Sequence, residues 1–128
     1  MRVFKSEEFA GFARKNAVAD AQLCTAVDEI HAGRIDADLG GSVYKQRIAR
    51  SGEGKSGGYR TILLLRWNEV CIFIFGFAKK DRANVTFAEV ALYREIAKNL
   101  LLREDLIEVA IREGKLIEVS CDGQTISK

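Results

Sequence analysis

The chain contains no proline, and only one histidine, one methionine and one tryptophan. With a lone histidine, His31, a catalytic zinc site would have to be built from carboxylates, and no such arrangement is visible, so no metal or other cofactor is expected. His31 precedes Gly33 at the end of an expected helix, where a helix-terminal cation or surface residue is the simplest reading. The three cysteines, Cys24, Cys71 and Cys121, are odd in number and far apart. They are expected to form neither a disulfide framework nor a metal motif, and a reducing cytoplasm is the expected compartment. Long apolar runs are missing too. The longest, VCIFIFGFA, is strand-sized, well short of the ~20 residues of a membrane-spanning helix. The N-terminal MRVFKSEEF meets acids at once and lacks the apolar region of a signal peptide. No membrane association is expected.

What is present describes an ordinary globular chain. Its 128 residues are 48% hydrophobic and 30% charged, which suits one domain over 1–128 with a true core and excludes wholesale disorder. The net charge of +2 hides an uneven distribution. Between Tyr44 and Arg82 stand nine cations (Lys45, Arg47, Arg50, Lys55, Arg60, Arg66, Lys79, Lys80, Arg82) against three acids, Glu53, Glu69 and Asp81. The rest of the chain is therefore net acidic. Such asymmetry points to a polyanion on one face, against the alternative of a solvated basic sheet edge.

Inside the basic region, GEGKS resembles half of a triphosphate-binding loop. A complete loop needs an earlier glycine where Ala49 stands, and a helix directly after the Lys-Ser. Here Gly57-Gly58 and then the strand-like YRTILLLRW follow. The segment is expected to join two strands, with Gly57-Gly58 supplying positive φ and close backbone approach.

Periodicity outlines the elements. Met1–Phe4 fits a short strand. Ser6 caps a helix carrying Glu7 and Glu8 in its first turn and Phe9 and Phe12 on its inner face. A second helix spans about 19–32, with Leu23, Val27 and Ile30 on one side. The two are expected to form a helical hairpin over 1–33, with RIDADLGG as its exit loop. A central sheet over 43–77 follows. In SVYKQRIA, Val43, Lys45 and Arg47 point one way while Tyr44, Gln46 and Ile48 point the other. YRTILLLRW and VCIFIFGF, joined by a tight turn at Asn68-Glu69, read as an antiparallel hairpin. C-terminal helices over 86–113 begin with a Thr86/Glu89 capping box, with Val90, Tyr93, Ile96, Ala97, Leu100 and Leu101 on one apolar face. Asp105 and Glu108 open a shorter helix, KLIEVSC fits a last strand, and DGQTISK is expected to fray.

In an antiparallel arrangement the start of the 60–66 strand meets the end of the 70–77 strand. Arg60 and Lys79/Lys80 would then share one edge with Lys55, while Lys45, Arg47, Arg50 and Arg82 lie nearby. Convergent cations suit a nucleic-acid phosphate, which arginine clamps with a forked pair of donors and lysine neutralises as a point charge. Tyr59 and Phe77 sit beside these cations, placed either to stack on bases or to serve as strand core.

The run VYKQRIARxGxGKSGGYR, followed by the apolar hairpin and GFAKKDRxN, resembles a branch of the RelE/HigB toxins of bacterial type II toxin–antitoxin modules, from about Val43 to Ala97. The resemblance implies an α+β fold: an N-terminal helical hairpin packed on a small twisted, mainly antiparallel sheet, with C-terminal helices. It implies a ribosome-dependent endoribonuclease that cleaves mRNA in the ribosomal A site and so inhibits translation. Its implied partners are the ribosome, that mRNA and a helix-turn-helix antitoxin. Carried onto this sequence, the family's pattern gives Arg60 transition-state charge stabilisation. Lys55, Lys45 and Lys79 join it as candidate catalytic cations, with Lys45 or Lys55 as general base. Arg47, Arg50, Tyr59, Phe77, Lys80 and Arg82 are candidate RNA contacts.

The sequence departs from that pattern at its end. Tyr93 falls within a helix, and no tyrosine or histidine follows it. Proton transfer would then use lysine, Tyr59 or ribosomal groups. Two other function classes stay open: a ParE-like inhibitor of DNA gyrase without nuclease activity, and a non-catalytic RNA-binding module. A convergent phosphate site argues against the first, and turnover that depends on one cation would argue against the second.

Overall fold

A computed structural model describes the backbone of residues 1–50 and 54–121, and the side chains of those residues outside 50–57. The elements run β1 (Arg2–Ser6), α1 (Glu7–Asn16), α2 (Asp20–His31), β2 (Ala37–Gly40), β3 (Val43–Arg50), β4 (Gly54–Arg66), β5 (Val70–Ala78), α3 (Phe87–Leu100), α4 (Glu104–Arg112) and β6 (Leu116–Val119). One six-stranded sheet holds them, in the order β2-β3-β4-β5-β1-β6. β1 runs parallel to β5, and the remaining neighbours are antiparallel.

The α+β class stands, but the expected helical hairpin on a small sheet does not. The chain starts with a strand inserted between β5 and β6, and its parallel pairing makes the sheet mixed. The reason lies in Val3 and Phe4. They face opposite sides of the sheet and each is buried in a different core cluster, so β1 is an interior strand, not a lead-in to the helices. α1 packs chiefly on β5 and α2 on β3, so each helix covers the sheet instead of using the other as its main partner. A second correction concerns RIDADLGG, expected as a loop: it contains β2, whose Ala37, Asp38 and Gly40 pair with β3.

Local chemistry sets the helix ends. Ser6 Oγ accepts the Phe9 N–H at 3.0 Å, and Ala17 closes α1 in the left-handed region at φ 56°. Thr86 and Glu89 form the expected reciprocal cap on α3: each side chain accepts the other's backbone N–H, at 3.1 and 2.7 Å. These bonds satisfy N–H groups that have no partner inside a helix.

The sheet is covered on both faces. Under α1 and α2 lie Phe9, Leu23, Ile30, Tyr44, Leu63 and Phe73. Under α3 and α4 lie Phe4, Val43, Ile62, Leu64, Ile72 and Ile107. Each large side chain of this kind contributes about 1.5–3 kcal/mol on burial. The alternation expected for β3 holds: Val43 joins one cluster, while Tyr44 and Ile48 join the other. Gln46, only 1% exposed, keeps its polar atoms satisfied by donating to the Arg34 carbonyl and accepting from the Asp36 N–H.

Cys24 and Cys121 are joined in a disulfide with Cα atoms 5.6 Å apart, against the expectation that the cysteines stay separate. They stand 97 positions apart in sequence, so no spacing motif announces the bridge, and cysteine usage no longer argues for a reducing compartment. Cys71 is free and buried, and burial pushes its thiol pKa up, which leaves it unreactive. Among the described residues, no helix is long and apolar enough to cross a membrane.

Candidate nucleic-acid interface

Three strands align the predicted cations. Arg47 of β3 stands opposite Arg60 of β4, which stands opposite Phe77 of β5. Directly cross-strand residues share a face, so these three side chains form a row on the face that α3 and α4 cover. Lys45, Ile62 and Phe75 make the next row. Lys79 and Lys80 follow in the exposed turn beyond β5, at the end of the sheet where Tyr59 pairs with Ala78. The backbone thus brings Arg60 and the Lys79-Lys80 turn to the same end of the sheet.

Each cation is held differently. Arg60 Nη1 donates to the Gly58 carbonyl at 3.1 Å, and among the described residues no carboxylate pairs with it. Lys45 Nζ donates to Asn84 Oδ1 at 3.2 Å, a neutral partner, and among the described residues no carboxylate compensates its charge. Arg47 is tied to Asp36, which accepts from its backbone N–H and, at 3.4 Å, from its guanidinium. Arg82 is the most constrained. Both of its terminal nitrogens donate to the Glu89 carboxylate, Nε donates to the Asn84 carbonyl at 3.1 Å, and its guanidinium lies 5.4 and 5.7 Å from the Phe75 and Phe77 ring centres. Hydrogen bonding to Arg82, helped by the Thr86 backbone N–H, holds the Glu89 carboxyl at a pKa of about 2. The same contact raises the Arg82 pKa. Glu89 is thus a fixed anion, unsuited to taking up a proton near neutrality.

The glycine stretch proves to be strand. β4 extends back to Gly54, which pairs with Arg50, so Lys55 sits on the β4 backbone and not in a connecting loop. The Arg50 and Lys55 side chains lie outside the described residues, as do 51–53 and the tail from 122. Between the Arg50–Gly54 and Ile48–Tyr59 pairs the register shifts, leaving residues 55–58 opposite Ala49 alone. At Gly58 a Cβ would come within 2.0 Å of the Ile48 carbonyl oxygen. Close approach, not positive φ, is what Gly58 supplies. The bulge it permits carries the carbonyl that anchors Arg60.

Two predicted residues do not present themselves as stacking surfaces. Tyr59 lies on the opposite face, 7% exposed and edge-on to Phe12 at 5.4 Å. Phe77 belongs to the cation face but is 4% exposed beneath Arg82. The structure adds Phe75, Asn84, Glu89 and Tyr93 instead. The Tyr93 ring lies 6.4 Å from that of Phe75, and desolvation raises its phenol pKa, with Glu89 adding to the effect. The i, i+4 spacing of Glu89 and Tyr93 on α3 was the available signal, masked because both had helix-building roles to fill.

The arrangement is a basic face with a rigid arginine on an aromatic floor, which can bind phosphate and offset charge developing on it. No curated protein matches the chain. The family model described as the RelE toxin of the RelE / RelB toxin–antitoxin system matches residues 1–119, nearly the whole chain, and the chain belongs to that toxin family.

Proposed function

We propose that this toxin is a ribosome-dependent endoribonuclease that cuts mRNA in the ribosomal A site and so halts translation in the cytoplasm. The observation that carries this reading is the Arg47–Arg60–Phe77 row, with Lys45 and the clamped Arg82 beside it. In the reaction, a ribose 2′-oxygen attacks the adjacent phosphorus and loses its proton. The bond from phosphorus to the 5′-oxygen breaks, and the leaving 5′-oxygen gains a proton, giving a 2′,3′-cyclic phosphate and a 5′-hydroxyl. Arg60, anchored yet without a carboxylate partner, meets the charge gathering on the non-bridging oxygens. Lys45 takes the proton or steadies the attacking oxygen, with Lys55 and Lys79 as further candidates. Arg47, Arg50, Lys80 and Arg82 hold the flanking backbone, with Phe77 supporting Arg82 from below. Tyr93 is the phenol nearest this face, and Tyr59 serves the core.

The test is to induce the chain in cells and map transcript 5′ ends. Cuts confined to translated regions, and absent with Arg60→Ala, are the expected result. Growth arrest with intact mRNA and broken plasmid DNA would instead indicate gyrase poisoning. RNA binding that persists with no cuts would leave only a binding module.

A further inference from the structure

At the other end of α3 from Glu89, a groove of about 440 Å³ opens between the C-terminal half of the helix and the β2–β3 turn. Its charged lining is Arg66, Arg94, Lys98 and Glu95, three cations against one acid. Arg94 is fixed by donating to the Leu39 carbonyl through Nε, at 3.1 Å, and Nη2. Among the described residues, neither Arg66 nor Lys98 has an ion-pair partner. The apolar part is aliphatic: Leu101 is buried in the floor, and Leu102 is 69% exposed at the margin.

This chemistry differs from that of the candidate RNA face. No aromatic ring lines the groove, so an unstacked base would find nothing to stack on. An aliphatic floor under a positive rim instead matches a helix carrying a leucine-type stripe flanked by carboxylates. We propose that this groove receives an acidic, amphipathic segment of the antitoxin, leaving the Arg47–Arg60 row on a separate surface. The proposal rests on the toxin–antitoxin family and not on nuclease activity, so either can fail without the other. Arg66 lies six residues along β4 from Arg60, about 20 Å at strand rise. A partner seated here would therefore block RNA through its bulk, without touching Arg60.

The experiment uses the full chain and the antitoxin encoded with it, with affinity read by fluorescence anisotropy. Arg66→Glu and Lys98→Glu together should weaken antitoxin binding roughly tenfold or more. Leu102→Glu should weaken it at unchanged melting temperature, and wild-type affinity should fall as salt rises. Binding of a single-stranded oligoribonucleotide should be unaffected by the same changes. Antitoxin affinity within twofold of wild type in the folded variants would overturn the proposal. Loss of oligoribonucleotide binding with antitoxin binding intact would also overturn it, by making the groove a nucleic-acid site.

Discussion

Glu89 grips Arg82 through both carboxylate oxygens, which holds the guanidinium over the Phe75 and Phe77 rings. The same carboxylate accepts the Thr86 N–H that starts α3. One residue therefore couples the helix cap to the orientation of an arginine on the basic face. That coupling exists only while Glu89 is ionised.

Acid should dissolve it within a definable window. The Glu89 pKa falls from an ordinary 4.5 to about 2 in the folded chain. A depressed folded pKa contributes stability that is complete above the unfolded value and is lost as pH drops toward the folded one. Urea midpoints should therefore decline between about pH 4.5 and 2 partly through this residue. Glu89→Gln should be less stable than wild type at pH 7 and show a flatter acid limb. Parallel acid limbs in the two proteins would show that the coupling contributes nothing to stability.

Removing the anchored arginine should separate chemistry from folding. Arg60 makes its hydrogen bond to a backbone carbonyl at the sheet end, so Arg60→Ala should melt within a few degrees of wild type. Cleavage of ribosome-bound mRNA should fall roughly a hundred- to thousandfold, the usual cost of deleting a donor that stabilises developing charge. Arg60→Lys should recover only part of it, because a point charge does not replace a fork. Primer extension on a translated message measures all three.

The disulfide should matter to stability under oxidising conditions. Cys24 and Cys121 stand 97 positions apart, and constraining so long a loop in the unfolded chain is worth about 4–5 kcal/mol in the chain-entropy account. Cys24→Ser should lower the urea midpoint in oxidising buffer and match the wild type once both are reduced. Equal midpoints in oxidising buffer would place the two thiols apart in solution.

How far these features could be read in advance depends on how local their causes are. The caps at Ser6 and Thr86, the β3 alternation and the tight turn at Asn68 come from residues a few positions apart, and periodicity exposes them. The interior place of β1 is not legible in the sequence because its partner β5 is some seventy residues away and five residues carry almost no periodic signal. β2 is hard to read because Gly40 and Gly41 look like a loop, and the Arg94 side chain that reaches from α3 to the Leu39 carbonyl lies more than fifty residues away. The candidate site divides the same way. The cations were visible by count, whereas Glu89 and Asn84, which fix two of them, read as a helix cap and a loop residue. Periodicity places Ile96 on the apolar face of α3, yet it is exposed, a surplus that periodicity alone does not sort from core.

Gly58 offers the sharpest test of how the glycine stretch works, because a glycine in a roomy helical position, Gly11, supplies its control. A Cβ at Gly58 would stand 2.0 Å from the Ile48 carbonyl oxygen and 3.1 Å from the Ala49 Cα, both backbone atoms that cannot rotate away. Gly58→Ala must therefore push β3 and β4 apart, at about 1–3 kcal/mol or more, and displace the carbonyl that holds Arg60. Gly11, within α1, meets only the flexible end of Arg14 at 3.8 Å. Gly11→Ala should stabilise the chain by about 0.5–1 kcal/mol through helix propensity. Urea unfolding of both variants, with cleavage measured on each, checks the pair. The expected pattern is a Gly58→Ala protein that loses stability and activity together, beside a Gly11→Ala protein that gains stability and keeps its activity. A Gly58→Ala protein with a wild-type midpoint would mean that β3 and β4 do not press together at this point.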